Sequence, residues 1–252
     1  MFDWFKRSSG DSGPHRKNRH NTEEKPIFRP ATLPLRRPEP SHISIRDTLF
    51  GDMPLDQWPR DNVQSDVFPW SAFVSARLHL AAGHRAAAAT SWRQVLDYSG
   101  LESRQYLQAW HFLKQQGQTP PPNVAKQVLG VVVEVAMPNG LDLLAAYLDH
   151  SARYYNYSGA GVVWARPDSS LDSAIDQLLE ASRQVVSRIG PWEQVRPAPP
   201  PRDQARLSFL TPSGLHFGQG PEAALLRDPL SGPVFHSANV LMKALIAKSN
   251  VA

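Results

Sequence analysis

The spacing of apolar positions changes along the chain and separates a helical part from a sheet-forming part. From residue 63 to residue 118, apolar residues recur every three or four positions, which is the period of an amphipathic helix. Beyond the prolines at 120–122 the period becomes two, as in β-strands. The pattern predicts an α+β fold, in which an N-terminal helical hairpin precedes an antiparallel β-meander with helices packed on one face of the sheet.

Three helices are predicted in the first part. The first begins after Pro69 and ends at Gly83, the second covers residues 85–98, and the third covers residues 101–116. The first two helices resemble a single tetratricopeptide unit, because Ala76, Ala88, Trp92 and Val95 stand at spacings similar to those of that repeat. A solenoid needs at least three repeats, so the resemblance implies a helical hairpin, with repeat ancestry as the alternative.

Four strands are predicted next. The Val-rich residues 127–137 form the first, and Asn139-Gly140 predicts a type I′ hairpin turn because both residues tolerate positive φ. The remaining strands of the meander are predicted over residues 141–148, 152–157 and 162–166.

The last third of the chain alternates helix and hairpin. An apolar stripe predicts a helix that begins at Ser169 or Ser170 and ends at Gly190. A second hairpin is predicted over residues 206–217, and short helices are predicted at 221–227 and 237–248.

These patterns divide the chain into four regions. Residues 1–42 form a flexible, basic, Pro-rich tail, since they have too little apolar surface to offset the entropy of ordering. Residues 43–62 form an ordered connector, residues 63–118 a helical segment, and residues 123–252 an α+β domain with an antiparallel sheet.

The net positive charge of the chain is confined to the tail. Residues 1–42 hold 9 Lys/Arg and 5 Asp/Glu, a net charge of +4, and the whole chain holds 27 and 23. The rest therefore has 27 − 9 = 18 basic and 23 − 5 = 18 acidic residues, a net charge of zero. The basic character argues for weak membrane-surface or nucleic-acid contact through the tail only, and not for a nucleic-acid-binding fold.

Composition excludes several kinds of site. The chain has no cysteine, so disulfides, thiolate nucleophiles and Cys-ligated metals are excluded. No apolar run is long enough for a transmembrane segment, and the N-terminus lacks the apolar region of a signal peptide. The nine histidines are dispersed without metal-ligand spacing. We expect a cytoplasmic protein of bacterial type with no metal and no cofactor.

The third predicted strand carries the most distinctive candidate binding residues. Alternation along a strand places Arg153, Tyr155 and Tyr157 on one face, where they can contact a partner's side chains. The alternative is that these tyrosines follow from β-propensity and pack in the core. Only one face of this strand can be exposed.

Other candidates are scattered along the chain. Trp92 and Trp110 lie on predicted helices and His216 lies in the second hairpin, and all three are predicted to bind a partner. Asp149 and His150 beside Arg153 form a possible acid–base group, although neighbours at a turn alternate in direction. In the tail, Phe2, Trp4, Phe5, Lys6 and Arg7 are predicted to contact a membrane surface or a partner groove.

The sequence favours a non-enzymatic protein-interaction module, such as an adaptor, a chaperone or an accessory subunit of a complex. The partner is expected to be another protein. Two alternatives remain open, an enzyme with a site assembled from dispersed residues such as His150, Arg153 and His216, and association through the basic tail.

Overall fold

A computed structural model describes residues 44–59 and 63–249. Two 3-10 turns lie at Arg46–Leu49 and Leu55–Gln57. The seven helices of the described chain are α1 (Trp70–Ala81), α2 (Arg85–Asp97), α3 (Ser103–Gln115), α4 (Pro122–Ala125), α5 (Asp172–Val186), α6 (Glu222–Arg227) and α7 (Ser231–Ser249). The six strands are β1 (Gly130–Met137), β2 (Gly140–Tyr147), β3 (Ala152–Tyr155), β4 (Gly161–Trp164), β5 (Gln204–Thr211) and β6 (Gly214–Pro221).

All six strands belong to one antiparallel sheet in the order β4-β3-β2-β1-β5-β6. The α+β class is therefore confirmed. The second hairpin does not form a separate layer, because β5 pairs with β1 on the side opposite β2. Helix α5 and the loop after it carry the chain from the β4 edge to that position, and the central strand β1 has hydrogen-bonded neighbours on both sides.

Both faces of the sheet are covered at its centre, which corrects the prediction of helices on one face only. One face packs against the first 3-10 turn and α3, and we call it the N-terminal face. Its core includes Leu49, the following Phe50, Leu107 of α3, and Val132 and Leu143 of the sheet. Strand alternation directs Val131, Val133 and Leu144 to the other face, against which α5 and α7 pack. The sheet thus needs apolar side chains on both sides of β1, as its Val-rich sequence provides.

The helical segment has its own aromatic core. The rings of Phe73 on α1 and Trp92 on α2 pack on Phe112 of α3, with centroids 6.3 and 5.2 Å from that ring. Trp58 packs against Phe73 at 5.8 Å, so the residues before α1 belong to this core as well. Whether α1 and α2 share ancestry with tetratricopeptide repeats stays a prediction.

The first hairpin differs from the prediction at its turn. Met137 pairs with Gly140, so the two loop residues are Pro138 and Asn139. The type I′ turn is wrong, because the ring of proline fixes φ near about −65° and that turn needs positive φ at both positions. Gly140 has a different constraint, since a Cβ there would lie 2.8 Å from the carbonyl oxygen of Tyr157.

A buried carboxylate joins the N-terminal segment to the sheet. Glu134 on β1 is 0% exposed. It accepts a hydrogen bond from Nε of Arg46 at 2.6 Å, and Arg206 on β5 lies 3.4 Å away. Both arginines also donate to the carbonyl oxygen of Pro197, at 2.9 and 3.3 Å. One carboxylate therefore holds the first 3-10 turn, β5 and the loop before β5 together on the N-terminal face.

A second arginine cluster extends this network. Arg196 donates to Asp52 at 2.7 Å and to Asp47 at 2.8 Å. Its guanidinium stacks on the ring of Phe50, 4.3 Å from the centroid, and that of Arg46 lies 5.2 Å from the same ring. Salt bridges and cation–π contacts together fix residues 46–52 on the sheet.

The two outer strands of the sheet are β4 and β6. β4 is only four residues long and is followed by Arg166 with φ of 56°. β6 is approached by the loop after α5, because the backbone N–H of Trp192 donates to the carbonyl oxygen of Leu215 at 2.6 Å. The ring of Trp192 then packs edge-on against Phe217, with centroids 5.2 Å apart.

We predict that Glu134→Gln destabilises the fold by about 3 kcal/mol, since it leaves two largely buried arginines without their counter-charge. Urea denaturation measures the change. Glu180→Gln on the exposed surface of α5 is the matched control and should change stability little, because its pair with Arg183 is solvated. A Glu134→Gln variant as stable as the control would contradict the anchoring role of Glu134.

Candidate functional site

A cleft lies where the helical segment meets one end of the sheet. It has a volume of about 650 Å³ and lies beside the C-terminal ends of strands β2, β4 and β5. The loop between α2 and α3 forms one wall, and α4 forms another. This volume lies within the range of ordinary ligand-binding clefts.

Aromatic and aliphatic side chains form much of the cleft. Tyr98 in the α2–α3 loop and Tyr106 and Trp110 on α3 line it, together with Leu129 and Leu148 from the sheet end. Tyr106 and Trp110 are four residues apart, so they lie on the same face of α3. Trp110 is half-buried and Tyr98 is 56% exposed, which leaves aromatic surface open to a ligand.

Hydrogen bonds fix the aromatic wall in place. The hydroxyl of Tyr106 donates to the carbonyl oxygen of Tyr98 at 2.6 Å and accepts from the backbone N–H of Leu101 at 3.2 Å. The ring of Tyr98 packs on Phe68, with centroids 4.7 Å apart. A preformed wall loses less conformational entropy when it binds a ligand than a flexible one does.

The start of α3 is joined to the sheet beside the cleft. Asp149, in the turn after β2, accepts a hydrogen bond from the backbone N–H of Ser103 at 2.7 Å. Its other oxygen accepts from Ser151 at 2.8 Å. Glu102 and Gln105 add a capping box. The Asp149 carboxylate thus stabilises the N-terminus of α3 and fixes the cleft wall on the sheet.

Two non-glycine residues beside the cleft have left-handed backbone conformations. His150 has φ of 62° and Arg166, which lines the cleft, has φ of 56°. Arg166 forms a bidentate pair with Asp172, at 2.8 and 3.2 Å, and His150 contacts Asp176 at 3.0 Å. Such conformations are uncommon for residues with a Cβ and concentrate at functional sites.

The predicted acid–base group at this corner does not converge. Asp149 caps α3, His150 turns to Asp176 on α5, and Arg153 lies on the N-terminal face of the sheet. Asp149 and His150 thus bond to different helices, and Arg153 lies outside the turn on β3. Within residues 44–59 and 63–249, no three His, Asp or Glu side chains are grouped so that they could hold a metal ion.

Arg153, Tyr155 and Tyr157 do not line the cleft. Arg153 and Tyr155 are half-buried on the N-terminal face, and Tyr155 packs against the core there. Tyr157 is 42% exposed, and its backbone N–H donates to Asp142 at 2.7 Å. Burial raises the pKa of Asp142, and hydrogen bonds from Tyr157 and Tyr154 lower it. Burial has the larger effect, so the pKa lies above its usual value. The strand thus presents one exposed tyrosine at its end.

Two of the predicted binding residues are buried. Trp92 is 1% exposed in the core of the helical segment, and His216 is 0% exposed beneath the second hairpin. Neither can meet a partner at the surface, because apolar packing on α1 and α3 uses the ring of Trp92 and the hairpin encloses His216. Of the two helical tryptophans, only Trp110 lies in the cleft. The predicted tail contacts at residues 2 and 4–7 lie outside the described residues.

His216 forms a hydrogen-bonded pair with a serine. Its Nε2 lies 3.1 Å from Oγ of Ser213, and that hydroxyl lies 2.8 Å from Thr211, which donates to the carbonyl oxygen of Gly214. Lys114 of α3 donates to the carbonyl oxygen of Ser213, whose N–H donates to Ala125 at 3.0 Å. The backbone of Ser213 thus holds the β5–β6 turn against α3 and α4, while its hydroxyl is used by His216 and Thr211.

Sequence reasoning missed the cleft because its walls come from five separated stretches. Trp110 was the predicted residue that pointed to it, whereas Tyr98 and Tyr106 were not singled out. The available signal in the sequence was Tyr98 followed by Ser99 and Gly100, an aromatic residue at the start of a loop. The structure joins that loop to α4 and to the sheet end.

Comparison with known proteins finds no matching family, no matching curated protein and no matching solved structure. Separately, the described helices include none that is both long enough and apolar enough to cross a bilayer.

We predict that acid destabilises the fold through His216. Burial and the nearby charge of Lys126 lower the pKa of His216 to about 4. An unfolded histidine has a pKa near about 6.5, so between pH 6.5 and about 4 the unfolded state binds the proton and the folded state does not. The contribution of His216 is complete above pH 6.5 and is lost as the pH falls towards 4.

Urea midpoints at pH 7 and pH 4.5 test this prediction. His216→Gln keeps a side chain that can form a hydrogen bond with Ser213 and should reduce the difference between the two midpoints, whereas His84→Gln, on the exposed turn before α2, controls for loss of a histidine. An unchanged difference in His216→Gln would contradict the assignment.

Proposed function

We propose that this protein is a non-enzymatic interaction module, which binds an apolar segment of a partner protein in the cleft beside Trp110. The observation that supports it is the aromatic wall of Tyr98, Tyr106 and Trp110. Tyrosine and tryptophan are the residues that contribute most to protein–protein affinity, because they bury large areas with few rotatable bonds.

The charges beside the cleft indicate the chemistry of the segment. Arg166 is paired with Asp172, and Asp149 caps α3, so their charges are compensated. Asp97, the last residue of α2, is exposed next to Tyr98 and lines the cleft. A segment with one aromatic or large aliphatic anchor and an adjacent Lys or Arg therefore complements the cleft best.

An enzyme assembled from dispersed residues is less well supported. Its strongest geometry is the Ser213–His216 contact, and His216 is buried within the hairpin. A general base must come within hydrogen-bond distance of the proton it takes from a substrate, directly or through one water. Tail-mediated association stays a prediction about residues 1–42.

Peptide display on the purified protein tests the proposal. We expect enriched peptides to share an aromatic or aliphatic anchor next to a basic residue. Binding of the best peptide should shift the NMR signal of the indole N–H of Trp110. Trp110→Ala and Tyr98→Ser should each weaken the affinity for this peptide by about tenfold or more, as truncation of an interface anchor does.

The matched controls are aromatic residues far from the cleft in the fold. Tyr157→Ser and Trp192→Ser remove exposed rings from the end of β3 and from the loop after α5, and should leave peptide affinity unchanged. Circular dichroism confirms that all variants are folded. No enrichment, or equal losses in the cleft and control variants, would reject the cleft as the binding site. The synthetic peptide of residues 1–8 tests whether the chain's own aromatic and basic N-terminus competes.

A further inference from the structure

Arg153 has no partner in the described part of the chain. It lies on the N-terminal face of β3, where it pairs in register with Ala145 of β2 and Val163 of β4. Its side chain is half-buried, and its Nε is fully buried without a hydrogen-bond acceptor. Among residues 44–59 and 63–249 no carboxylate forms an ion pair with it. Burying part of a charged side chain costs free energy of hydration, and here no hydrogen bond or ion pair from the described residues offsets that cost.

A second arginine borders the same patch. The guanidinium of Arg104, in the first turn of α3, lies over the ring of Tyr147, 5.7 Å from its centroid. Tyr147 stands two residues after Ala145 on the same face of β2, so the two guanidinium groups flank one stretch of that strand. Nε of Arg104 is also buried without an acceptor.

The nearby carboxylates do not balance these charges. Glu102 pairs with Nη2 of Arg104 at 2.5 Å, and Nη1 of Arg104 donates to the carbonyl oxygen of Thr48. Asp149 directs both its oxygens to backbone N–H groups of Ser103 and Ser151. Among the described residues Arg153 therefore has no ion-pair partner at contact distance, and the charge of Glu102 acts on it only from further away. Burial, followed by the charge of Arg104, lowers the pKa of Arg153 below the usual value.

We propose that Arg153 and Arg104 bind an oxyanion group, a carboxylate or a phosphate, on the N-terminal face of the sheet. Arginine presents paired N–H donors in a planar fork that matches the oxygens of either group. The ring of Tyr155 and the exposed side chain of Val163 border the patch and provide apolar contact for whatever carries the anion. This site is separate from the Trp110 cleft and does not depend on it.

The test follows the Nε–Hε NMR signals of the arginines in the full-length protein. Sodium phosphate and sodium acetate are titrated separately, with sodium chloride keeping the ionic strength constant. We expect the signals of Arg153 and Arg104 to shift in a saturable way with one of the two anions, and that anion identifies the group. Arg202, exposed on the loop before β5, is the control and should respond only weakly and linearly.

Variants separate ligand binding from folding. Arg153→Gln should abolish the saturable response at Arg104, and in buffer without phosphate or acetate its thermal midpoint should equal or exceed that of the wild type, because an unpaired charge has been removed. Arg153→Lys keeps the charge without the fork and should bind about tenfold more weakly. Trp110→Ala should leave the response intact, so this result is independent of the cleft.

Linear shifts at Arg153 that match those at Arg202 would mean an adventitious ion only and would overturn the proposal. It would also be overturned if Arg153→Gln lowered the thermal midpoint while leaving the anion response of Arg104 unchanged, since Arg153 would then have a structural role alone.

Discussion

The buried carboxylate of Glu134 is the interaction on which the packing of the first 3-10 turn, β5 and the loop before β5 depends. It lies at the centre of the sheet, on a face that a β-meander alone would leave partly open to water. Two arginines from positions 46 and 206 satisfy it, so residues distant in sequence must meet at one point. Removing one partner of such a group leaves the remaining charges buried without a counter-charge, which is strongly destabilising. Single substitutions at these positions are therefore poorly tolerated.

The position of α3 follows from that anchoring. Leu49 and Phe50 sit beside Leu107 in one core, and the carbonyl oxygen of Leu49 accepts the buried hydroxyl of Tyr147 at 2.7 Å. Gln108 of α3 bonds both to the N–H and to the carbonyl oxygen of Met53, at 2.9 and 2.8 Å. The first 3-10 turn therefore acts as a spacer between α3 and the sheet. The cleft beside Trp110 and the patch around Arg153 lie on either side of the start of this helix, and both inherit their shape from it.

Local features were predictable where one stretch of sequence carries the whole physical cause. The stripe of Ile175, Leu178 and Val186 identifies α5 because its period is that of a single helix. The Val-rich run of β1 likewise identifies a strand buried on both sides. The pairing of β5 with β1 was not predictable, since nothing within residues 204–211 states which strand lies beside them. Trp92 and Trp110 show the same limit for the candidate site: both are helical tryptophans, and only the packing of α3 against neighbouring elements separates the buried one from the one in the cleft.

The outer strands restrict how this protein can meet another polypeptide. A sheet with a long unpaired margin recruits foreign strands through main-chain hydrogen bonds, which read almost no sequence. Here β4 stops after four residues at the left-handed Arg166, and the backbone of Trp192 already bonds to β6. The short β4 therefore offers few backbone groups for strand addition, and the carbonyl group of Leu215 on β6 is already bonded.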